Sequence, residues 1–141
     1  SLMQSADEAH GFAHVQRVVL NTIRIGQAES ADPQVVLPAA WLHDCVAVPK
    51  DSPQRSTASR LSADRALSVL QQIAYPQIYL EAIHHAITAH SFSARIPCET
   101  LEAQVVQDAD RLEALGAIGI ARCIITGVHM KIPLYDLDDP L

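Results

Sequence analysis

Histidines and acidic residues in this chain occur in an order that is typical of a metal centre assembled from separate helices. His14 comes first, the adjacent pair His43-Asp44 follows, and an aspartate-rich stretch that contains Asp110 lies far downstream. Imidazole nitrogens and carboxylate oxygens are common ligands of hydrolytic divalent-metal sites, and helical bundles build such sites from side chains on facing helices. The pattern predicts that three helices bring these groups to one cation.

The hydrophobic periodicity predicts that the elements carrying these residues are five or six helices, because no stretch shows the alternation of a strand. Asp32-Pro33, Ser56 or Thr57, and Thr100 have the residue types of helix N-caps for the second, third and last helices. Leu61 is expected to face inward from the third helix. The predicted helices cover Phe12 to Ala28, Gln34 to Cys45, Ser56 or Thr57 to Ile73, Gln77 to His90, and Leu101 to Thr126 with a bend near Gly116 and Gly119. The second is apolar nearly all round, Trp41 included, which predicts burial at the centre of the bundle.

Length and composition predict one all-α domain over residues 1–141. The chain is 49% hydrophobic but only 4% aromatic, so its core should be aliphatic. A formal net charge of −6 argues against binding to a nucleic-acid polymer, and no apolar run is long enough to span a membrane. Three widely spaced cysteines without a CxxC motif predict reduced thiols and a cytoplasmic location. A homo-oligomer is compatible with all of this.

Several neighbouring residues have two interpretations each. His10 lies four residues before His14 and would share its helical face, but Gly11 favours a helix that starts between them. His10 is then either a pocket residue that meets substrate phosphate or a surface histidine. In the later stretch, Asp110 and Glu113 share a helical face while Asp108 points away. Periodicity does not decide which aspartate is the ligand.

Additional imidazoles and cations lie near the predicted centre. His85 and His90 are five apart and would approach a second metal or the pocket together, while His84 is expected on the other face. The alternative for His90 is a helix-terminal histidine that interacts with the macrodipole. Lys50 and Arg55 follow the His-Asp pair and could bind phosphate oxygens, or they lie in an ordinary solvated loop.

His14, His43-Asp44 and Asp110 together resemble the H…HD…D signature of the HD superfamily of metal-dependent phosphohydrolases. Three longer stretches are similar to small, stand-alone bacterial HD hydrolases, and the similarity continues to the Leu134-Tyr135-Asp136…Asp139-Pro140 ending. These stretches are Lys50…Pro53-Gln54-Arg55…Ser59, Ala86-Ile87-Thr88-Ala89-His90-Ser91-Phe92-Ser93, and Val106 to Gly119 with its Ala109-Asp110-Arg111-Leu112 core.

The resemblance implies an all-helical HD bundle of about five to six core helices and selects Asp110 over Asp108 as the ligand. Family members usually continue with more helices than this chain contains. The implied activity is hydrolysis of a phosphomonoester or phosphodiester of a small phosphorylated metabolite or nucleotide. One Mn²⁺, Fe²⁺, Mg²⁺, Ni²⁺ or Zn²⁺ would be held by His14, His43, Asp44 and Asp110. Asp108, Glu113 or His90 would act as the base. Two alternatives stay open: a di-iron oxygenase that uses His85 and His90 as further ligands, and a non-catalytic metal- or nucleotide-binding module.

Overall fold

The computed structural model describes residues 11–48, 52–133 and 138, and within them every regular element is helical. The all-α prediction is therefore confirmed, with six α-helices in the described part of the chain. They are α1 (Phe12–Glu29), α2 (Pro33–Leu42), α3 (Ala58–Gln72), α4 (Leu80–Ala89), α5 (Leu101–Arg111) and α6 (Gly116–His129). Short 3₁₀ turns at Arg55–Thr57, Gln77–Tyr79, Phe92–Ala94 and Leu112–Ala114 precede or join them.

Two of the three predicted helix caps are formed. The Asp32 carboxylate accepts from the Gln34 backbone N–H at 2.8 Å ahead of Pro33, and the Thr100 hydroxyl accepts from the Ala103 N–H at 3.2 Å. The expected side-chain cap of α3 is wrong. A 3₁₀ turn leads directly into that helix, and the Thr57 hydroxyl donates backwards to the Gln54 carbonyl at 2.8 Å.

The core is aliphatic, as the low aromatic content predicts. Helices α1, α2, α4 and α5 pack on one another, and α3 covers α4 from outside. Ile83 and Ile87 of α4 are the largest fully buried apolar side chains, and Val15 and Val18 of α1 are completely enclosed. These helices all end or begin near one face of the bundle, where the candidate ligands lie.

One aromatic and one aliphatic side chain that the periodicity placed in the core are exposed. Trp41 is 42% exposed, because the outer side of α2 has no covering element among the described residues. Its ring contacts that of Phe12 in a tilted arrangement, with centroids 6.2 Å apart. Leu61 is 39% exposed, since α3 packs through small residues at helical spacing, such as Ser62 and Ala66, and Leu61 is out of phase with them.

The last predicted helix is in fact two. The bend lies where the sequence predicted it, because Gly116 has φ +66°, a left-handed conformation that glycine adopts without strain. The segments Leu101–Ala114 and Gly116–His129 cross at 77°. Only Gly119 of α6 is buried, and its bulky residues Ile120 and Ile124 are exposed.

Replacement of Gly119 by alanine is expected to push α6 away from the bundle. A Cβ at this position would lie 2.2 Å from the carbonyl carbon and oxygen of Ala114, which are backbone atoms that cannot rotate aside. We expect a loss of about 1–3 kcal/mol in the free energy of unfolding. Faster hydrogen exchange at α6 amides and a lower urea midpoint would report it.

Gly127→Ala is the matched control, because a Cβ there meets nothing within 4 Å in the same helix. It should be neutral or stabilise α6 by up to ~1 kcal/mol through helix propensity. Equal effects of the two substitutions would show that close packing at Gly119 is unimportant.

Within the described residues, no single helix combines the length and apolarity needed to cross a membrane. The bent pair of Leu101–Ala114 and Gly116–His129 meets that test jointly, on length and composition alone.

Candidate metal centre

Three of the four predicted ligands lie together at one end of the bundle. His14 lies in the first turn of α1, His43 is the C-cap residue directly after α2, and Asp44 follows it. One ligand atom from each lies within 4.8 Å of the other two. Both imidazoles are buried, whereas the Asp44 side chain is about one-third exposed. The group therefore has a closed imidazole side and a carboxylate that reaches solvent.

Asp110 joins this group from the end of α5. Its Oδ1 lies 3.3 Å from Nε2 of His14 and 3.9 Å from Nε2 of His43. Burial disfavours the charged carboxylate, but the nearby imidazole rings of His14, His43 and His90 outweigh burial. Together they hold the pKa of Asp110 well below its usual range. The carboxylate therefore stays ionised, as a metal ligand must.

The orientation of His43 fits a cation at this position. Its Nδ1–H donates to the Ala40 carbonyl at 2.8 Å, which in the neutral ring places the lone pair on Nε2. Nε2 is buried, makes no hydrogen bond with the described residues, and lies 3.7 Å from Asp44 Oδ2. An unsatisfied buried acceptor costs free energy that a bound ion would recover. Two imidazole nitrogens and two carboxylates thus form a donor set suited to a divalent transition metal.

His90 faces the same centre from the end of α4. Its Nδ1–H donates to the Ile87 carbonyl at 2.6 Å, so its Nε2 is also unprotonated in the neutral ring, 3.7 Å from Asp44 Oδ1. The His43 and His90 ring centroids are 5.0 Å apart. Burial, with a contribution from His43, lowers the pKa of His90. His90 is therefore a neutral imidazole beside Asp44.

Other predicted site residues lie elsewhere. His85 Nε2 accepts a hydrogen bond from the Glu99 backbone N–H at 3.1 Å, and Asp108 is exposed. Neither residue lines the cleft in front of the metal centre. His84 pairs with Asp64 on the outer surface, as expected for the other face. The predictions for His10, Lys50 and most of the 134–140 ending lie outside the described residues.

Glu113 is buried behind the centre in a cluster of charged residues that the sequence did not predict. Its Oε2 accepts from Arg17 Nε at 2.6 Å, lies 3.6 Å from His14 Nδ1 and lies 3.9 Å from Arg122 Nη1. The same Arg122 nitrogen donates to the Glu113 backbone carbonyl at 3.2 Å. Two signals were available: Arg17 is one helical turn after His14, and Arg122 is an isolated arginine in the apolar α6.

A cleft of about 970 Å³ opens in front of the centre. Asp44, His90 and Asp110 face it from the bundle, and α6 forms part of the opposite wall. Arg55 lines this cleft and is half-buried. The other polar lining residues are Ser59, Ser91, Ser93, Arg111, Glu113, Arg122 and Thr126.

Comparison with known proteins links these features to one family. The HD domain family matches residues 11–115, which include all four candidate ligands. The Bacillus subtilis protein YpgQ is 33% identical over 130 residues, which cover 89% of this chain and 60% of YpgQ.

Solved structures agree on the fold. A Lactobacillus plantarum protein superposes with TM-score 0.75 at 34% identity, over 97% of this chain and 61% of the other. The structure of Bacillus subtilis YpgQ in complex with ADP superposes with a TM-score of 0.73 at 32% identity, over 97% of this chain and 69% of YpgQ. A predicted HD superfamily hydrolase from an uncultured Thermotogales bacterium superposes with a TM-score of 0.67 at 29% identity, over 87% of this chain and 68% of the other. The chain thus spans about two-thirds or less of the length of these relatives.

Proposed function

The chain belongs to the HD-domain family, and from this premise we propose that it is a metal-dependent phosphohydrolase. Its substrate would be a phosphoester of a small phosphorylated metabolite, with nucleotides as the best-supported class. One observation carries the proposal: His14, His43, Asp44 and Asp110 converge at the head of a cleft that also contains arginines.

These four side chains would hold the ion. Their mixture of nitrogen and oxygen donors favours Mn²⁺, Fe²⁺, Ni²⁺ or Zn²⁺ over Ca²⁺, and Mg²⁺ is also compatible with the carboxylates. Such an ion would supply Lewis acidity: it would lower the pKa of coordinated water to as little as ~7 and would polarise a phosphoryl oxygen. The imidazoles close the site towards the core, and the two carboxylates face the cleft, from which substrate would approach.

Arg55 is the residue best placed to bind a substrate phosphate. It is half-buried in the turn Arg55–Thr57, which contacts the turn Phe92–Ala94, and both turns contribute lining residues to the cleft. A guanidinium offers a planar pair of donors to phosphate oxygens. Arg111 lines the same cleft and adds positive charge. Lys50 and His10 stay in the proposal as further phosphate ligands on sequence grounds.

A nucleotide fits both the space and the relatives. The cleft volume of about 970 Å³ is at the upper end of the range for small-molecule sites. YpgQ, whose fold matches over nearly the whole of this chain, was solved with ADP. Serine hydroxyls and exposed apolar groups such as Phe92 offer contacts for a ribose and a base.

Among the three candidates for the base, the geometry favours His90. Its unprotonated Nε2 faces Asp44, and its lowered pKa keeps it able to accept a proton near neutral pH. Asp108 is exposed away from the cleft, and the Glu113 carboxylate is engaged by Arg17 at 2.6 Å. We therefore assign His90 to hold or accept the proton of the attacking water.

The oxygenase alternative has less support from the geometry. It needs two further imidazole ligands, and of the proposed pair only His90 faces the centre, because His85 binds the Glu99 backbone. A count of one metal ion per chain would agree with the hydrolase, and two irons per chain with oxygen uptake would favour the oxygenase.

The test is a hydrolysis screen on metal-reconstituted protein. Nucleoside mono-, di- and triphosphates, sugar phosphates and cyclic dinucleotides are incubated with protein loaded separately with each of the five metals. We expect hydrolysis of at least one class, detected as released phosphate or pyrophosphate or, for cyclic dinucleotides, as a linear dinucleotide or mononucleotide resolved by chromatography. Hydrolysis should be lost after chelation and recovered on adding the metal back. Tight nucleotide binding without turnover under every metal would instead identify a non-catalytic module and overturn the proposal.

A further inference from the structure

We infer that Glu113 is a positioning residue that accepts a hydrogen bond from Nδ1–H of His14 and so presents Nε2 of that ring to the metal. Arg17 and Arg122 hold the carboxylate in place. The inference rests on the proposed metal site, but it assigns Glu113 a role other than the catalytic base.

The two nitrogens of His14 face different acids. Nε2 lies 3.3 Å from Asp110 in the centre, and Nδ1 lies 3.6 Å from Glu113 on the opposite side of the ring. A neutral imidazole carries its proton on one nitrogen only. When Nε2 binds an ion, the proton must therefore be on Nδ1, where it points at Glu113. A modest tightening of this contact gives a hydrogen bond, and such an acceptor fixes the ring and increases its basicity as a ligand.

The position of His14 in its helix explains why a side chain must supply this acceptor. His43 and His90 lie at helix C-termini, where their Nδ1–H groups donate to the carbonyls three residues earlier, those of Ala40 and Ile87. His14 lies in the first turn of α1. The carbonyl three residues before it, that of Gly11, already accepts from the backbone N–H groups of His14 and Val15. The Glu113 carboxylate takes the place of that carbonyl.

The arginines make the buried carboxylate tolerable and hold it still. Glu113 is only 8% exposed, and a buried carboxylate is costly unless ionic partners and hydrogen bonds compensate it. Arg17 donates to its Oε2 at 2.6 Å, and Arg122 lies 3.9 Å from the same oxygen. Because Arg122 belongs to α6, the cluster also joins a cleft wall to a metal ligand.

Glu113→Gln tests the inference. Arg17 and His14 approach the same carboxylate oxygen, Oε2. The amide loses the negative charge that pairs with the arginines, and its neutral oxygen is a weaker acceptor for the His14 Nδ1–H. We expect the dissociation constants of Mn²⁺ and Zn²⁺, measured by competition with a chromophoric chelator, to rise about 10- to 100-fold. Asp108→Asn is the matched control, since it removes a carboxylate from the exposed side of the neighbouring helix. It should leave both constants within about twofold of wild type, within the usual range for surface substitutions.

A spectroscopic readout separates positioning from a general loss of stability. In Zn²⁺-loaded wild-type protein labelled with ¹⁵N, the His14 Nδ1–H should give a low-field proton resonance protected from exchange with water. Glu113→Gln should move it upfield or remove it through exchange, while the Nδ1–H resonance of His43 persists. An unchanged His14 resonance together with unchanged metal affinity would overturn the inference.

Arg17→Lys provides a second variant in case Glu113→Gln fails to fold. It keeps the positive charge of a side chain that is 34% exposed but removes the Nε donor. We expect it to weaken metal binding by a smaller factor than Glu113→Gln does. A wild-type affinity for the metal would contradict the role of Arg17 in holding the Glu113 carboxylate. If the wild-type protein hydrolyses no phosphoester while Glu113→Gln still weakens metal binding, the proposed function fails and the positioning role stands. If the wild-type protein hydrolyses a phosphoester and Glu113→Gln binds metal normally, the proposed function stands and the positioning role fails.

Discussion

Asp44→Ala is expected to lower metal-dependent phosphoester hydrolysis by about 10³-fold or more and to abolish retention of the metal through gel filtration. Asp44 supplies a carboxylate oxygen to the group with His14 and His43, and it is the ligand nearest His90, at 3.7 Å. Its loss removes one negative charge of the two that would neutralise a divalent ion. The two buried imidazoles and Asp110 would then be too few ligands to retain the ion.

Asp44→Asn and Asp64→Ala define what the first substitution means. Asn keeps the shape of the side chain and loses its charge, so it should resemble Ala if the charge binds the metal. Asp64 pairs with His84 on the outer surface, and its replacement should leave metal content and hydrolysis close to wild type. Metal content by elemental analysis and initial rates on the screened substrate are the measurements. An Asp44→Ala protein that hydrolyses at the wild-type rate would refute the proposed centre.

Most of the fold could be predicted because its signals are local. Asp32-Pro33 and Thr100 begin helices by hydrogen bonds within three residues, and Gly116 bends the chain through its own backbone conformation. The errors concern side chains whose burial depends on which other elements pack against their helix face. Trp41 looks like a core residue in an apolar helix, but whether it is covered depends on which elements pack against α2.

The candidate site divides in the same way. The order of His14, His43-Asp44 and Asp110 predicts a shared ion, and the choice of Asp110 over Asp108 came from family resemblance, not from periodicity. The positions of Arg17 and Arg122 marked them as unusual, but their pairing with Glu113 could not be predicted, because the ion pair of Arg17 with Glu113 joins residues 96 positions apart. Pairing at such a distance depends on how α1 meets the end of α5. His85 shows the converse: its spacing from His90 suggested convergence, but a backbone N–H engages it.

Loading the protein with Mn²⁺ or Zn²⁺ should raise its melting temperature by roughly 10 °C when free metal is about 1,000-fold above the dissociation constant. Ligand binding to the folded state alone adds about 4 kcal/mol at that concentration, and a domain of this size melts roughly 3 °C higher per kcal/mol. The expectation follows from preorganisation, because the Nδ1–H bond of His43 to Ala40 already aims its Nε2 at the carboxylates. Differential scanning calorimetry with and without metal measures the shift, and Ca²⁺ should give a much smaller one.

His43→Gln should abolish this shift, whereas His84→Gln should preserve it. The quantity to compare is the metal-induced difference within each variant, since removing a fully buried imidazole lowers the melting temperature of His43→Gln by itself. His84 is a fair control because it is a histidine of the same bundle whose Nε2 is engaged by Asp64. A wild-type shift that survives in His43→Gln would mean that the ion binds elsewhere. The convergence of four side chains at the cleft would then have to be explained without a metal.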